Sequence, residues 1–139
     1  MVLIIDDHDN DAALIKRILS KQVPPQTIRH VDDGDEAIAL LGDCAGETLE
    51  LVLLDLHLPK GQGLEVLKQL RASPHARHVP VVVMAGSADD DEVGRSYDLG
   101  ANSVLRKDTD TEHSEYAIEQ VGHYWLGLNQ PYVLPGVKR

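Results

Sequence analysis

Three aspartates and one lysine lie at the ends of apolar runs that are far apart in the sequence. Asp6 and Asp7 end the first run, Asp55 ends a run in the middle of the chain, and Lys107 closes the last one. A carboxylate can attack a phosphoryl group, and nearby cations can offset the charge on the transferring oxygens. Each residue alone is commonly a cap, a turn residue or a solvated charge. Together at one site, they predict phosphoryl transfer to an aspartate.

Strands and helices in alternation would position these residues. The runs at residues 51–54 and 79–84 are almost wholly apolar, which is typical of strands buried on both faces of a parallel sheet. Leu64, Leu67 and Leu70 mark a helical stripe between them. Five such strand–helix pairs predict right-handed βαβ units. We therefore expect an α/β fold, a flavodoxin-like doubly wound (βα)5 sandwich with a five-stranded parallel sheet of order 2-1-3-4-5.

The first and third strands are neighbours in that fold, at the point where the strand order reverses. Ligands of such sheets bind outside the carboxyl ends of the strands, so Asp6, Asp7 and Asp55 should converge and Lys107 should approach the same edge. Three converging carboxylates repel one another, and a hard divalent cation relieves that repulsion. Mg²⁺ prefers carboxylates, waters and a phosphate oxygen as ligands. The sequence therefore predicts a Mg²⁺ site beside a phosphoryl acceptor.

Capping residues predict where the later helices begin and end. Ser87 and the acidic residues 89–92 are typical of an N-cap and a first helical turn, and Gly100 is typical of a helix end. The last helix is predicted at residues 111–128, with Ile118 and Val121 in the core. We assign residues 1–128 to one domain and residues 129–139 to a C-terminal extension.

Composition excludes several classes of function. The formal net charge of the 139-residue chain is −10, which argues against nucleic acid as a partner, because such partners need a basic surface. No apolar run is long enough to span a bilayer, and the first residues do not resemble a signal peptide. Cys44 is the only cysteine, so no intrachain disulfide can form. We expect a cytoplasmic protein that has no membrane partner.

The acidic and lysine motifs also carry a resemblance to a known family. The resemblance rests on Ile5-Asp6-Asp7, on Leu53-Leu54-Asp55-Leu56-His57-Leu58-Pro59 with Gly63, and on Lys107. In these motifs the chain resembles the receiver domain of two-component response regulators, over nearly its whole length. The resemblance implies that Asp55 accepts a phosphoryl group from a sensor histidine kinase.

The same resemblance implies a role for each residue around the acceptor. Asp7, Asp55 and the backbone carbonyl of His57 would ligate Mg²⁺, and Asp6 would act through a water molecule. Lys107 would contact the phosphoryl oxygens. A receiver of this kind is a phosphoacceptor and not an enzyme, apart from a possible Mg²⁺-dependent loss of its own phosphoryl group.

Two further motifs resemble a narrower group. They are Arg95-Ser96-Tyr97-Asp98-Leu99 with Ala101-Asn102, and Tyr124-Trp125-Leu126 before Pro135. Both are similar to the single-domain response regulators associated with phytochrome-type histidine kinases. We therefore expect a phytochrome-like photoreceptor kinase as the partner, and no output domain.

Two positions depart from the receiver pattern. Ala85 stands after the fourth strand where the family has Thr or Ser, and Val104 stands in the fifth strand where it has a switch aromatic. These losses keep open a degenerate receiver that works by protein contact alone. A Mg²⁺-dependent aspartyl-phosphate phosphatase is a further alternative, but His57 occupies the place of the second aspartate that such enzymes need.

The end of the chain suggests a homodimer. Trp125, Leu126 and Leu128 lie near the end of the last helix, where little of the sheet remains to cover them. Beyond them, residues 132–134 are apolar and lie between two prolines, which favours an extended arm. Such an arm can pair with a second copy of the chain or fold back on its own domain. The resemblance to phytochrome-linked receivers favours the dimer.

Overall fold

Strands and helices alternate in the computed structural model, which describes residues 1–43, 48–59, 62–87, 89–107 and 110–133. Strands β1 to β5 are Val2–Ile5, Ile28–Val31, Leu51–Asp55, Val81–Ala85 and Ser103–Arg106. Helices α1 to α5 are Asp9–Leu19, Gly34–Asp43, Gln62–Ala72, Asp90–Asp98 and Thr111–Gly122. A short 3-10 helix at Pro25–Thr27 precedes β2, and a π-helix at His123–Leu128 continues α5.

The five strands form one parallel sheet of order β2-β1-β3-β4-β5. This confirms the predicted flavodoxin-like doubly wound fold. The register pairs Ile5 with Leu54 and Asp55 with Met84, so the residues that follow β1 and β3 emerge side by side. The carboxyl edge of the sheet is therefore where the acidic residues meet.

Two apolar layers hold the helices against the sheet, because successive strand residues point to opposite faces. Val2 and Ile4 face a cluster that includes the buried residues of α1 and α5. Leu3 and Ile5 face a second cluster that includes the buried residues of α2 and α3. All residues of β1, β3 and β4 are buried. That burial on both faces is the reason why these strands are almost wholly apolar in sequence.

Gly63 sets how closely α3 approaches the loop after β3. A Cβ atom added at Gly63 would lie 1.9 Å from the backbone carbonyl oxygen of Leu56. Only a residue without a side chain fits there. Since Leu56 directly follows Asp55, this contact fixes the start of the loop that follows the candidate acceptor.

Helix α4 begins later than the sequence suggested. Its N-cap is Asp89, whose side chain accepts a hydrogen bond from the backbone N–H of Glu92, and the backbone N–H of Asp89 in turn donates to the side chain of Glu92. The prediction of Ser87 as the N-cap is therefore wrong, since this reciprocal capping box satisfies two backbone donors. The predicted helix end is confirmed, because Gly100 has a φ of 103°.

The last helix covers residues 111–128 as predicted, but its final turns are π-helical. Ile118 and Val121 are buried in the core, also as predicted. Trp125 and Leu126 are only partly buried against the core, and Leu128 is 77% exposed. The end of this helix therefore presents apolar surface.

The chain after the π-helix runs back toward the loop between α3 and β4. The rings of Tyr132 and His78 lie 4.7 Å apart at an angle of 60°, although Tyr132 is 59% exposed. This contact is one that the alternative of a folded-back arm predicts. Leu134 and Pro135, which were also assigned to the arm, lie outside the described residues. Among the helices of the described part of the chain, none is long and apolar enough to cross a membrane.

Candidate functional site

Asp55 lies at the centre of the carboxyl edge of the sheet. It is the last residue of β3 and is only 2% exposed. Its Oδ1 atom accepts a hydrogen bond from the backbone N–H of His57 at 3.0 Å. Its Oδ2 atom is buried, has no hydrogen-bond partner among the described residues, and lies 3.5 Å from Nζ of Lys107. One carboxylate oxygen is thus held in place while the other faces a cation.

Lys107 directly follows the edge strand β5 and reaches the acidic residues from there. Its Nζ donates hydrogen bonds to Oδ2 of Asp6 at 2.9 Å and to Oδ2 of Asp11 at 3.1 Å. Partial burial alone would lower the pKa of Lys107, but the bond to Asp6 and the charges of Asp6 and Asp55 outweigh burial and raise that pKa. Lys107 is therefore a fixed ammonium group at neutral pH. Asp6 has no exposed surface and needs this partner.

His8 closes the site on the solvent side. Its Nδ1 atom lies 3.2 Å from Oδ1 of Asp7, 3.3 Å from Oδ1 of Asp6 and 3.6 Å from Oδ2 of Asp55. The charge of Asp7 raises the pKa of His8 above its ordinary value, against an opposing effect of burial. Despite this proximity, the buried Oδ1 of Asp7 has no hydrogen-bond partner in the described part of the chain.

The residues around this space fit a divalent cation. Ligand atoms of Asp6, Asp7, His8 and Asp55 all lie within 4.8 Å of one another. Two of the buried oxygens, on Asp7 and Asp55, have no hydrogen-bond partner within the residues that the structure describes. A buried oxygen without such a partner is costly unless a cation satisfies it. When bound, such a cation offsets negative charge on a phosphoryl group. The acidic cluster is typical of the metal site of receiver domains.

The family model of the response regulator receiver domain matches residues 2–119 of the chain. The chain belongs to this family. It is therefore a receiver domain of a response regulator, and receivers are phosphoacceptors of two-component signalling that are generally not enzymes.

Three relatives of this receiver span nearly its whole length. The probable methanogenesis regulatory protein FilR2 of Methanothrix harundinacea is 36% identical over 133 residues, which are 94% of this chain and 86% of FilR2. The response regulator Rcp1 of Synechocystis is 30% identical over 130 residues, 91% of this chain and 88% of Rcp1. The crystal structure of its Mn²⁺-bound form has a TM-score of 0.85, at 27% identity and with 95% and 98% of the two chains covered.

The third relative is the phosphorylated cyanobacterial phytochrome response regulator RcpA. Its crystal structure has a TM-score of 0.85 and 30% identity, with 94% of this chain and 96% of RcpA covered. The resemblance to phytochrome-associated regulators, which the sequence predicted, is confirmed.

The two unusual positions of this receiver lie beside the site and beyond it. Ala85 is the buried last residue of β4, and its carbonyl accepts a hydrogen bond from the backbone N–H of Lys107 at 2.7 Å. Its methyl group has no donor to offer. Val104 lies in β5, partly buried against the core, and its backbone N–H donates to the hydroxyl of Tyr97 on α4 at 3.3 Å. A tyrosine therefore lies beside this edge strand, but it belongs to α4 and not to β5.

Three residues of the site were missed from the sequence. His8 directly follows the two aspartates, and that adjacency was the signal for it. Asp11, in the first turn of α1, reaches back to Lys107. Glu92, in the first turn of α4, forms a 2.8 Å hydrogen bond with Nε2 of His57. From the sequence, Glu92 was interpreted only as part of a run of charges at the start of a helix. No sequence pattern joins it to His57, which lies 35 residues earlier in a loop.

Proposed function

We propose that this receiver accepts a phosphoryl group on Asp55 from a phytochrome-type sensor histidine kinase, with Mg²⁺ as its cofactor. The observation that carries the proposal is the ion pair between the buried Oδ2 of Asp55, which has no hydrogen-bond partner in the described residues, and Nζ of Lys107, 3.5 Å away. A carboxylate oxygen of Asp55 forms a bond to phosphorus while the bond between phosphorus and the kinase histidine nitrogen breaks. Lys107 then contacts a phosphoryl oxygen.

The neighbouring residues hold the acceptor and its cation. The backbone N–H of His57 orients Asp55. Asp7, Asp55 and the carbonyl of His57 would hold Mg²⁺ directly, and Asp6 would hold it through water, in line with the preference of Mg²⁺ for oxygen ligands and retained waters. The divalent ion in the Mn²⁺-bound form of Rcp1 supports this assignment. Loss of the phosphoryl group by Mg²⁺-dependent hydrolysis and a cytoplasmic location stay predictions.

The phytochrome link rests on the relatives. RcpA is described as a phytochrome response regulator, and it resembles this chain over almost its whole length. Transfer from a phytochrome-type histidine kinase should therefore be faster than transfer from a histidine kinase with an unrelated sensor. Equal rates from both would leave Asp55 as the acceptor but would remove the assignment of the partner.

Intact mass spectrometry tests the acceptor. After treatment with acetyl phosphate and Mg²⁺, the wild type should gain one phosphate-sized mass, and Asp55→Asn should gain none. The missing hydroxyl at Ala85 favours the second candidate function, a receiver that works by contact alone. An unmodified wild type, under conditions that modify an ordinary receiver, would support that candidate. Equal gain in wild type and Asp55→Asn would remove Asp55 from the site.

We also propose a homodimer through the last helix and the C-terminal extension, residues 129–139. The support is the exposed apolar surface at the end of this helix, where Tyr124 is 51% and Leu128 77% exposed. A symmetric pair would cover both copies of this surface. The contact between Tyr132 and His78 leaves 59% of Tyr132 exposed, so a folded-back arm still presents its tyrosine to a second copy.

A further inference from the structure

Nothing in α1 explains the position of the His8 side chain. His8 is the N-cap residue of α1, a position where a side chain usually accepts a hydrogen bond from the helix, but His8 makes no such bond. Instead, its backbone N–H donates to Oδ1 of Asp6 at 2.9 Å, which places the ring over the acidic cluster. The side chain remains 62% exposed, so burial in a core does not hold it there either.

The Nδ1 atom faces the oxygens that lack partners. It lies 3.2 Å from Oδ1 of Asp7 and 3.6 Å from Oδ2 of Asp55, and both oxygens are buried and without a hydrogen-bond partner among the described residues. Neither contact is a hydrogen bond. Separations of about 3 Å are those expected between adjacent ligand atoms around one ion, given metal–ligand distances of about 2.1 Å. His8 is thus placed like one more ligand of the site.

We propose that Nδ1 of His8 is a direct ligand of the divalent cation at Asp7 and Asp55, and that it strengthens the binding of Mn²⁺ relative to that of Mg²⁺. The inference rests on the proposed cation site. Imidazole nitrogen is a good ligand for transition metals, whereas Mg²⁺ takes oxygen ligands and gives up its waters reluctantly. A nitrogen ligand therefore strengthens the binding of Mn²⁺ and adds little to that of Mg²⁺.

His57 provides a matched control, since it is the other imidazole beside the acceptor. Its Nε2 atom is already engaged by Glu92 at 2.8 Å. Loss of this side chain should leave the cation's nitrogen ligand unchanged. His8→Ala and His57→Ala therefore remove one imidazole each from the same edge of the sheet, with opposite expectations. Because neither side chain is buried, at 62% exposed for His8 and 45% for His57, both variants should fold.

Pulsed electron paramagnetic resonance of the Mn²⁺-loaded full chain tests the proposal. Wild type and His57→Ala should show modulation from a directly bound ¹⁴N nucleus, and His8→Ala should not. Labelling histidine with ¹⁵N should change the modulation in the wild type, which tests the nitrogen without any substitution. By titration, His8→Ala should lose roughly tenfold or more in Mn²⁺ affinity, the scale of ligand-shell losses, with less than about a threefold change for Mg²⁺.

Three outcomes would overturn the inference, and they differ in what they say of the cation site. Bound Mn²⁺ without ¹⁴N modulation means that the cation site exists but that His8 is no ligand. Tighter Mn²⁺ binding in His8→Ala means that the imidazole competes with the cation. If the wild type binds neither Mn²⁺ nor Mg²⁺, the cation is also removed from the proposed function. Phosphorylation of Asp55 is tested separately, by the gain of a phosphate-sized mass.

Discussion

Replacing Gly63 by alanine should destabilise this receiver through one backbone contact. The added Cβ would lie 1.9 Å from the carbonyl oxygen and 2.6 Å from the carbonyl carbon of Leu56. Ordinary contact begins at 3.4 Å, so α3 and the loop after β3 must separate by about 1.5 Å, the difference between 3.4 and 1.9. The added Cβ is fixed to the backbone of α3 and its neighbours are backbone atoms of Leu56, so no side-chain rotation relieves the clash. Helix α3 is also anchored by the buried residues Val66, Leu67 and Leu70. Such overpacking costs about 1–3 kcal/mol, and we expect the free energy of unfolding to fall by about 2 kcal/mol or more.

Gly94 offers a control of opposite sign within the same chain. It lies in α4, is exposed, and has no heavy atom within 4 Å of an added Cβ. Alanine there should raise the free energy of unfolding by about 0.5–1 kcal/mol, because glycine loses more backbone entropy in a helix. Urea unfolding followed by far-UV circular dichroism, with Trp125 fluorescence as a second probe, measures both variants against the wild type.

The same experiment can refute the packing argument. If Gly63→Ala is as stable as the wild type, the approach of α3 to Leu56 is looser than the structure indicates. Metal titration adds a local reading, because Leu56 directly follows Asp55. A displaced loop should weaken divalent-cation binding in Gly63→Ala at temperatures where the variant is still folded, and Gly94→Ala should bind as the wild type does.

Two substitutions test the site, and one truncation tests the dimer. Asp7→Ala should abolish labelling by acetyl phosphate with an unchanged circular dichroism spectrum, and normal labelling would remove Asp7 from the cation site. Lys107→Ala loses a charge-assisted contact worth about 1.5–3 kcal/mol, so phosphorylation should fall at least tenfold. An unchanged rate would exclude Lys107. By light scattering, the wild type should have about twice the 15.3 kDa chain mass, and deletion of residues 129–139 should shift it toward monomer. A wild type that is monomeric at tens of micromolar, roughly tenfold above a micromolar Kd, would contradict the dimer.

The sheet and the acidic centre of the site could be predicted because they depend on patterns of single residues. Strands buried on both faces must be apolar throughout, so β1, β3 and β4 could be recognised from sequence. Topology rules then place the residues after β1 and β3 together. That step brought Asp6, Asp7 and Asp55 to one site without knowledge of any side-chain contact.

Helix ends were harder to predict because several residues compete for them. Ser87 and Asp89 are both good N-cap residues, and only the reciprocal bond with Glu92 selects Asp89. At the end of α5, no sequence rule distinguishes α-helical from π-helical turns, since both use the same residue types. There the backbone N–H of Asn129 bonds to the carbonyl of Tyr124, five residues earlier.

The contacts of α4 with its neighbours could not be predicted from the family pattern alone. Sequence shows that Ala85 and Val104 lack the hydroxyl and the ring of the family, but it does not show what lies beside them. In the structure, α4 is joined to the loop after Asp55 by the bond between His57 and Glu92, and to β5 by the bond between Tyr97 and the backbone of Val104. A phosphoryl group can shift a conformational equilibrium only through contacts that differ between two states. A movement of α4 relative to the loop after Asp55 and to β5 would change these two bonds. Both bonds therefore belong in an account of switching, even though Ala85 lacks the family's hydroxyl and Val104 lacks its ring.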